Sequence, residues 1–349
     1  MAWLKTVAAG LLALGAVHAL AQERMPPLPP GPAAQPGKTV VFVASDFRNG
    51  GVMGVYRGLE EAAQKLGWKI RVEDGMGQHA VQAKMLARAI EGRPHGIVLG
   101  GFDPDEFGDL LDHARQGGIV LLGWHAAKDP GPTRHLFANI STTPVDVAVQ
   151  ASDFVLRDAK ARRRPVGVVI FNDSQFAVAN AKTEAMRRTI QECRAYADCR
   201  VLAVENVPIS EAASAMPARV AALLAKFGAA WTYSLAINDV YFDEINYPLK
   251  LAGRTDIANV SAGDGSSKAL GRIAAGVSQQ VATVAEPLRM QGYQLADEFN
   301  RAFAGVPPSG IQSRPILVTP ELLKSTGNRG IEAGLGFEAA YAALWSGSR

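Results

Sequence analysis

The feature that most constrains this chain is a strand-like apolar run that keeps returning, each time followed by a segment of helical periodicity. Thr39–Ala44 (TVVFVA) is continuous, apolar and β-branched, the pattern of a strand buried on both faces. Over residues 52–66 the apolar side chains Val52, Val55, Leu59, Ala62, Ala63 and Leu66 fall on one helical face, and Gly67 follows as a helix-ending glycine. Strands at 68–72, 96–99, 119–122 and 136–138 and helices at 81–90, 104–115 and 145–159 continue the alternation. Such units with short connections need a parallel sheet covered by helices on both faces.

The pattern then restarts after the basic break Arg162-Arg163-Arg164-Pro165. Strands at 166–171, 201–204, 231–236, 257–262, 280–285 and 316–318 alternate with helices at 176–192, 212–226, 240–251, 267–275 and 288–303. The expected fold class is therefore α/β, with two Rossmann-like parallel-sheet lobes. A chain of 349 residues is long enough for two such cores. A net charge of only +3 with 48% hydrophobic residues excludes a disordered chain and gives no concentrated basic face for nucleic acid.

Both ends depart from this plan. Lys5 is the only charge among residues 1–21, an apolar run follows, and Ala19-Leu20-Ala21 reads as a cleavage site. Residues 1–21 are thus expected to be a cleavable signal peptide, with cleavage near Ala21 and export to the periplasm. Residues 22–37 are rich in proline, which cannot sustain a helix or a central strand, and are expected to form an extended tether. Residues 325–349 turn from glycine-rich to apolar (Phe337, Tyr341, Leu344, Trp345) and are expected to pack on one lobe as a C-terminal extension.

Cys193 and Cys199 are the only cysteines, and in an exported chain they read as one local disulfide. All six histidines lie at or before His135, so no Cys/His metal site is expected near that pair. No cofactor is expected either. The chain lacks a G-x-x-x-x-G-K-[ST] phosphate loop, and Gly50, Gly51 and Gly54 do not complete a dinucleotide fingerprint, so they read as a tight turn into a helix. Neither G-x-S-x-G nor H-E-x-x-H occurs, and the chain is expected not to be an enzyme.

Ligands of open parallel sheets bind beyond the carboxyl ends of the strands. That rule selects Ser45, Asp46, Phe47, Arg48 and Asn49 after the first strand, and Trp124 and His125 after the fourth. In the second half it selects Asn172, Asp173, Asn238, Asp239, Asp264 and Glu286. Each has a structural alternative. Asp264 in Gly263-Asp264-Gly265 suits a turn or the cap of a helix starting near Ser267, Asn238 suits a helix cap, and Phe47 suits the core.

The segments 39–66, 96–125, Ala-Ile-Asn-Asp at 236–239, Ala-Gly-Asp-Gly at 262–265 and Val-Ala-Glu-Pro-Leu at 284–288, in this order, resemble the type I periplasmic binding proteins, in particular the ribose- and galactose-type sugar receptors of ABC transporters. The resemblance covers about residues 38–321. It implies a three-segment hinge, with crossings near 140–143, 285–286 and 313–315. Lobe 1 would be 38–141 and 286–313, and lobe 2 would be 142–285 and 314–324. The ligand would lie between lobes that close on it.

The resemblance also implies roles for residues. Asp264 and Asn238 stand where the family places a ligand Asp and Asn, and Glu286 stands at a polar crossover position. Asp46, Phe47 and Asn49 occupy a loop where the family uses polar and aromatic contacts. Trp124-His125 replaces an Asp-Arg pair of close relatives, and Asn180 stands where an Arg is expected, with Lys182 nearby. The pocket would then be rich in acceptors, suited to a neutral sugar or polyol or to an amine. The implied partner is an inner-membrane ABC permease, and the implied state is a monomer. The alternative is a sensor of the same fold that signals to a membrane sensor kinase. The proline tether and the C-terminal extension depart from the compact receptors and keep that alternative open.

Overall fold

The computed structural model describes residues 25–193 and 199–347, and the signal peptide expected at 1–21 lies outside the described residues. The first half runs β1 (Thr39–Ala44), α1 (Gly50–Leu66), β2 (Lys69–Asp74), α2 (His79–Glu91), β3 (Gly96–Gly100), α3 (Gly108–Gln116), β4 (Val120–Trp124) and β5 (Ala138–Ile140). Its sheet has the order β2-β1-β3-β4-β5, parallel throughout. The second half runs α4 (Pro144–Arg162), β6 (Val166–Asn172), α5 (Ala177–Gln191), β7 (Cys199–Asn206), α6 (Ala212–Phe227), β8 (Tyr233–Ala236), α7 (Tyr241–Leu251), β9 (Ala258–Ser261), α8 (Ser267–Ala275) and β10 (Gln280–Ala285). Then come α9 (Leu288–Phe303), β11 (Ile316–Val318), α10 (Pro320–Thr326) and α11 (Phe337–Trp345). The second sheet has the order β11-β10-β9-β8-β6-β7, and its edge strand β11 is antiparallel, unlike the all-parallel sheet expected from sequence. The chain reaches β11 from the far lobe rather than through a covering helix, so a parallel crossover is not required.

α4 packs on α5 and β10, whereas α9 packs on α1 and β4. The chain therefore passes between the lobes at residues 141–143, at Glu286-Pro287 and between α9 and β11. Each strand of β1, β3 and β6 is buried along almost its whole length, as two-sided helix cover demands. Cys193 and Cys199 are joined by a disulfide, with Cα atoms 6.0 Å apart, at the entry to β7.

The proline-rich segment is docked rather than free. Arg301 donates from its guanidinium to the carbonyls of Pro29 and Pro30, Asn300 Nδ2 donates to those of Pro32 and Ala33, and Trp68 Nε1 donates to that of Gln35. The carbonyls of a chain poor in N–H groups are satisfied by side chains of α9 and by Trp68. α11 covers the same helix: Tyr293 packs edge-on against Phe337 at 5.0 Å and stacks on Trp345 at 5.9 Å. No helix among the described residues is long and apolar enough to cross a membrane.

Candidate functional site

The carboxyl ends of both sheets face each other across one cleft. Lobe 1 contributes the β1–α1 loop and the end of β4, and lobe 2 the ends of β6, β8 and β9. The lobes touch there. A Cβ on Gly51, in the first turn of α1, would strike the Asp264 carboxylate, so only glycine permits this approach. The positive end of the α1 dipole is thereby brought to a negative group.

The cleft holds two adjoining chambers. The inner one, about 50 Å³, is walled by Trp124 and His125 from lobe 1 and by Lys182, Ile237, Asn238 and Asp264 from lobe 2. The outer one, about 170 Å³, is walled by Asp46, Gln82, Phe102 and Glu106 on one side and Asp173, Gln175 and Ser210 on the other. Ser45, Asn49, Phe176 and Ile209 border both.

Charge is concentrated at the inner end. Glu286 and Lys182 have fully or almost fully buried side chains, 0% and 3% exposed. His125 Nε2 lies 2.8 Å from both carboxylate oxygens of Glu286. Gln291 Nε2 donates to Oε2 at 2.8 Å, and the Thr142 N–H approaches it at 3.4 Å. Oε1 has no hydrogen bond besides that shared imidazole approach, and its ionic neighbour is Lys182 Nζ at 3.7 Å. Burial penalises the Glu286 charge, but His125 and Lys182 outweigh it and hold the carboxyl well below the usual carboxylate range. Asp264 is shifted the other way. Burial pushes its pKa up to about 6, against the attraction of Lys182 and His125.

His125 adopts φ of +49°, a left-handed conformation that costs a β-carbon-bearing residue energy and aims its ring into the site. Its ring stacks on Trp124 at 4.2 Å, and the indole Nε1 donates to Gln291 Oε1 at 2.7 Å. Gln291 also donates to Ser313 Oγ. His125, Asp264 and Glu286 offer ligand atoms within 4.8 Å of one another, a spacing that suits a metal. Lys182 already supplies positive charge to both carboxylates, so the protein balances this trio with its own ammonium.

Asp264 does not cap α8; Ser266 does, accepting from the Ala269 N–H. Asp239 holds the loop instead, accepting from the N–H groups of Gly265 and Ser266 and from Gln280 Nε2. Asp264 is therefore left with one side-chain partner, Asn238 Nδ2 at 2.5 Å, and an aspect toward the inner chamber. Asn238 Oδ1 accepts from the Val240 N–H. Asn49 caps α1, accepting from the Gly51 N–H, while also bordering both chambers. Asp46 is gripped by Arg48 at 2.7–3.0 Å.

Two selected residues lie elsewhere. Phe47 packs against Phe42 and Tyr56 and borders neither chamber, because its ring completes an aromatic cluster behind β1. Asn180 is exposed and bonded to Asn172 and to the Ser174 carbonyl, also outside both chambers. The aromatic surface comes from Trp124, Phe176 and Phe102. Phe176 sits at the carboxyl end of β6, the place the strand-end rule points to, but helical periodicity had absorbed it as the start of a helix. Lys182, noted beside Asn180 in the sequence, reaches the inner chamber from inside α5.

The sequence pattern of the periplasmic binding protein domain matches residues 40–305, and the chain belongs to that family of binding proteins. A comparison with curated protein sequences finds no match. Among solved structures, the fold is similar to a sugar ABC transporter protein from Yersinia enterocolitica subsp. enterocolitica 8081, with a TM-score of 0.74 at 16% identity over 89% of this chain and 95% of that one. It is also similar to a carbohydrate transporter solute-binding protein from Agrobacterium radiobacter in complex with D-arabinose, with a TM-score of 0.72 at 17% identity over 85% and 98%. A solute-binding protein from Agrobacterium vitis with bound allitol gives 0.67 at 18% identity over 84% and 99%. At these identities the likeness establishes the type I periplasmic binding protein fold.

Proposed function

We propose that this protein is a periplasmic receptor that captures a small neutral sugar or polyol in the cleft between its lobes, at the inner end, and delivers it to an ABC permease in the inner membrane. The observation that carries the reading is Asp264: a buried carboxylate with a single amide partner, facing a chamber between two lobes. Such a group accepts hydrogen bonds from adjacent hydroxyls, and a charged acceptor makes them stronger than neutral ones. Trp124 and Phe176 provide flat apolar walls for the C–H faces of a ring or chain. Asn238 supplies an amide beside Asp264, and Lys182 and His125 supply donors to ligand oxygens. The sugar and polyol named for two structural neighbours support the same class. Because the chamber has walls from both lobes, a ligand there binds the closed state better and shifts the population toward it.

A thermal-shift panel of the mature protein against sugars, polyols, amino sugars and amines tests this. A ligand at ~100 times its dissociation constant stabilises by about 2.7 kcal/mol. A neutral sugar or polyol is the expected hit. A response to amines alone removes the sugar assignment.

A second reading, a ligand sensor that docks on a membrane sensor kinase, is favoured by the docked proline segment and the C-terminal extension, which lie outside the matched family domain. Gene neighbourhood separates the two readings: permease and ATPase genes for the first, a histidine kinase gene for the second.

A further inference from the structure

The C-terminal extension connects the lobes a fourth time. It starts on lobe 2, where β11 pairs with β10 and α10 packs on α8. It ends on lobe 1, where α11 packs on α9 and Trp345 Nε1 donates to Asp297 Oδ1 at 2.9 Å. The passage between is very short. Ile331, buried, packs with Ala285 and Val318 of the second sheet. A Cβ on Gly265, next to Asp264, would lie 3.7 Å from Ile331 Cδ1. The very next residue holds the other lobe: Glu332 accepts from the Arg289 N–H at 3.1 Å and the Met290 N–H at 2.9 Å. α9 has no side-chain cap of its own and no acid in its first turn, so Glu332 provides what the local sequence lacks.

Between these two anchors lies the second crossing, Glu286-Pro287. Ala285 on one flank is held by Ile331, and Arg289 and Met290 on the other by Glu332. We propose that the extension is a splint across this crossing, restraining the lobes against opening and linking the position of the Asp264 loop to that of α9. Rotation about Glu286-Pro287 must then distort the Ile331-Glu332 step or release one anchor. This regulation rests on the two-lobe capture reading, but its test needs no ligand.

The test is an inter-lobe distance distribution by double electron–electron resonance, in the mature chain without ligand. Spin labels go on keto side chains introduced at exposed Lys84 and Lys250, which leaves the disulfide intact. Wild type is expected to give a narrow distribution. Glu332→Ala and Ile331→Ala are expected to add a longer-distance population, with the open-to-closed ratio rising about tenfold for loss of a buried acceptor with two donors. Glu332→Gln, which keeps the shape and an acceptor oxygen, should give a smaller rise and guards against misfolding of the alanine variant. Lys324→Ala, exposed on α10 away from the crossing, should leave the distribution unchanged. Equal open populations in wild type and in the Glu332 and Ile331 variants would overturn the splint. The capture reading fails separately, by absence of any stabilising sugar or polyol in the thermal panel.

Discussion

Two regions of this molecule bury charge, and they do it differently. Under the proline segment, Asp297 and Arg301 form an i,i+4 pair whose side chains are 2% and 3% exposed. Every charged atom there has an assigned partner: Arg301 Nε binds Asp297 Oδ2, its other nitrogens bind the Pro29 and Pro30 carbonyls, and Asp297 Oδ1 accepts from Trp345. At the cleft, Glu286, Lys182, His125 and Asp264 are as deeply buried, yet acceptor capacity is left over on Asp264 and on Glu286 Oε1. The first cluster is complete and ties the proline segment and α11 to α9. The second is incomplete and lies at a cleft, which is where perturbed ionisable groups mark a site. Burial alone does not distinguish scaffold from site; residual hydrogen-bonding capacity does.

The largest expected effect is on binding. Asp264→Ala should weaken the sugar or polyol found in the thermal panel by roughly 100-fold or more, since two hydrogen bonds to a charged acceptor are lost. Calorimetric titration measures this, and near-normal affinity would remove Asp264 from the site. Arg301→Met should do the opposite, costing about 3–5 kcal/mol of stability by leaving Asp297 buried and unpaired while ligand affinity stays unchanged. Denaturant unfolding alongside titration reads both, and a matching loss of affinity would break the distinction between the clusters.

Proton linkage at Asp264 sharpens it further. Its folded pKa of about 6 stands above the ordinary value of 3.8, so between these values the native state binds the proton more tightly than the unfolded chain. The contribution of this group to stability is therefore present at low pH and declines, by about 3 kcal/mol in all, as pH rises from about 4 to 6. Binding to ligand hydroxyls needs the ionised form and runs the other way, so affinity should fall about tenfold from pH 7 to pH 5. Parallel unfolding and titration series check the two opposite slopes. The smallest contrast is between aromatic residues. Phe176→Ala should weaken ring binding about five- to tenfold, whereas Phe47→Leu should leave affinity unchanged and cost under about 1.5 kcal/mol. A binding loss at Phe47 would return that ring to the cleft.

The elements with strong periodicity were legible residue by residue: β1, α8, α9, β10 and β11 fall on the bounds their patterns predict. The strand expected at 136–138 lies instead at Ala138–Ile140, because its register against β4 pairs Leu122 with Ala138 and Trp124 with Ile140. Strand-end logic selected Asp264, Asn238, Trp124, His125 and Glu286, all of which the fold gathers at the inner chamber or its base. It also selected Phe47, which shares the loop but turns to the core, and it passed over Phe176, whose helical context masked it.

By itself, the sequence determined the alternation of strands and helices, the two lobes and the strand ends from which a site is built, because periodicity and turn residues act locally. Only the tertiary structure decided which side of its loop each side chain takes, that Asp239 rather than Asp264 holds the β9–α8 turn, and that Lys182 meets Glu286 across the hinge. It also decided that the proline segment is docked and that Ile331 and Glu332 bracket the second crossing. These are contacts between residues far apart in the chain. Their energies depend on burial and on which partners remain after packing, and neither quantity exists until the lobes have formed.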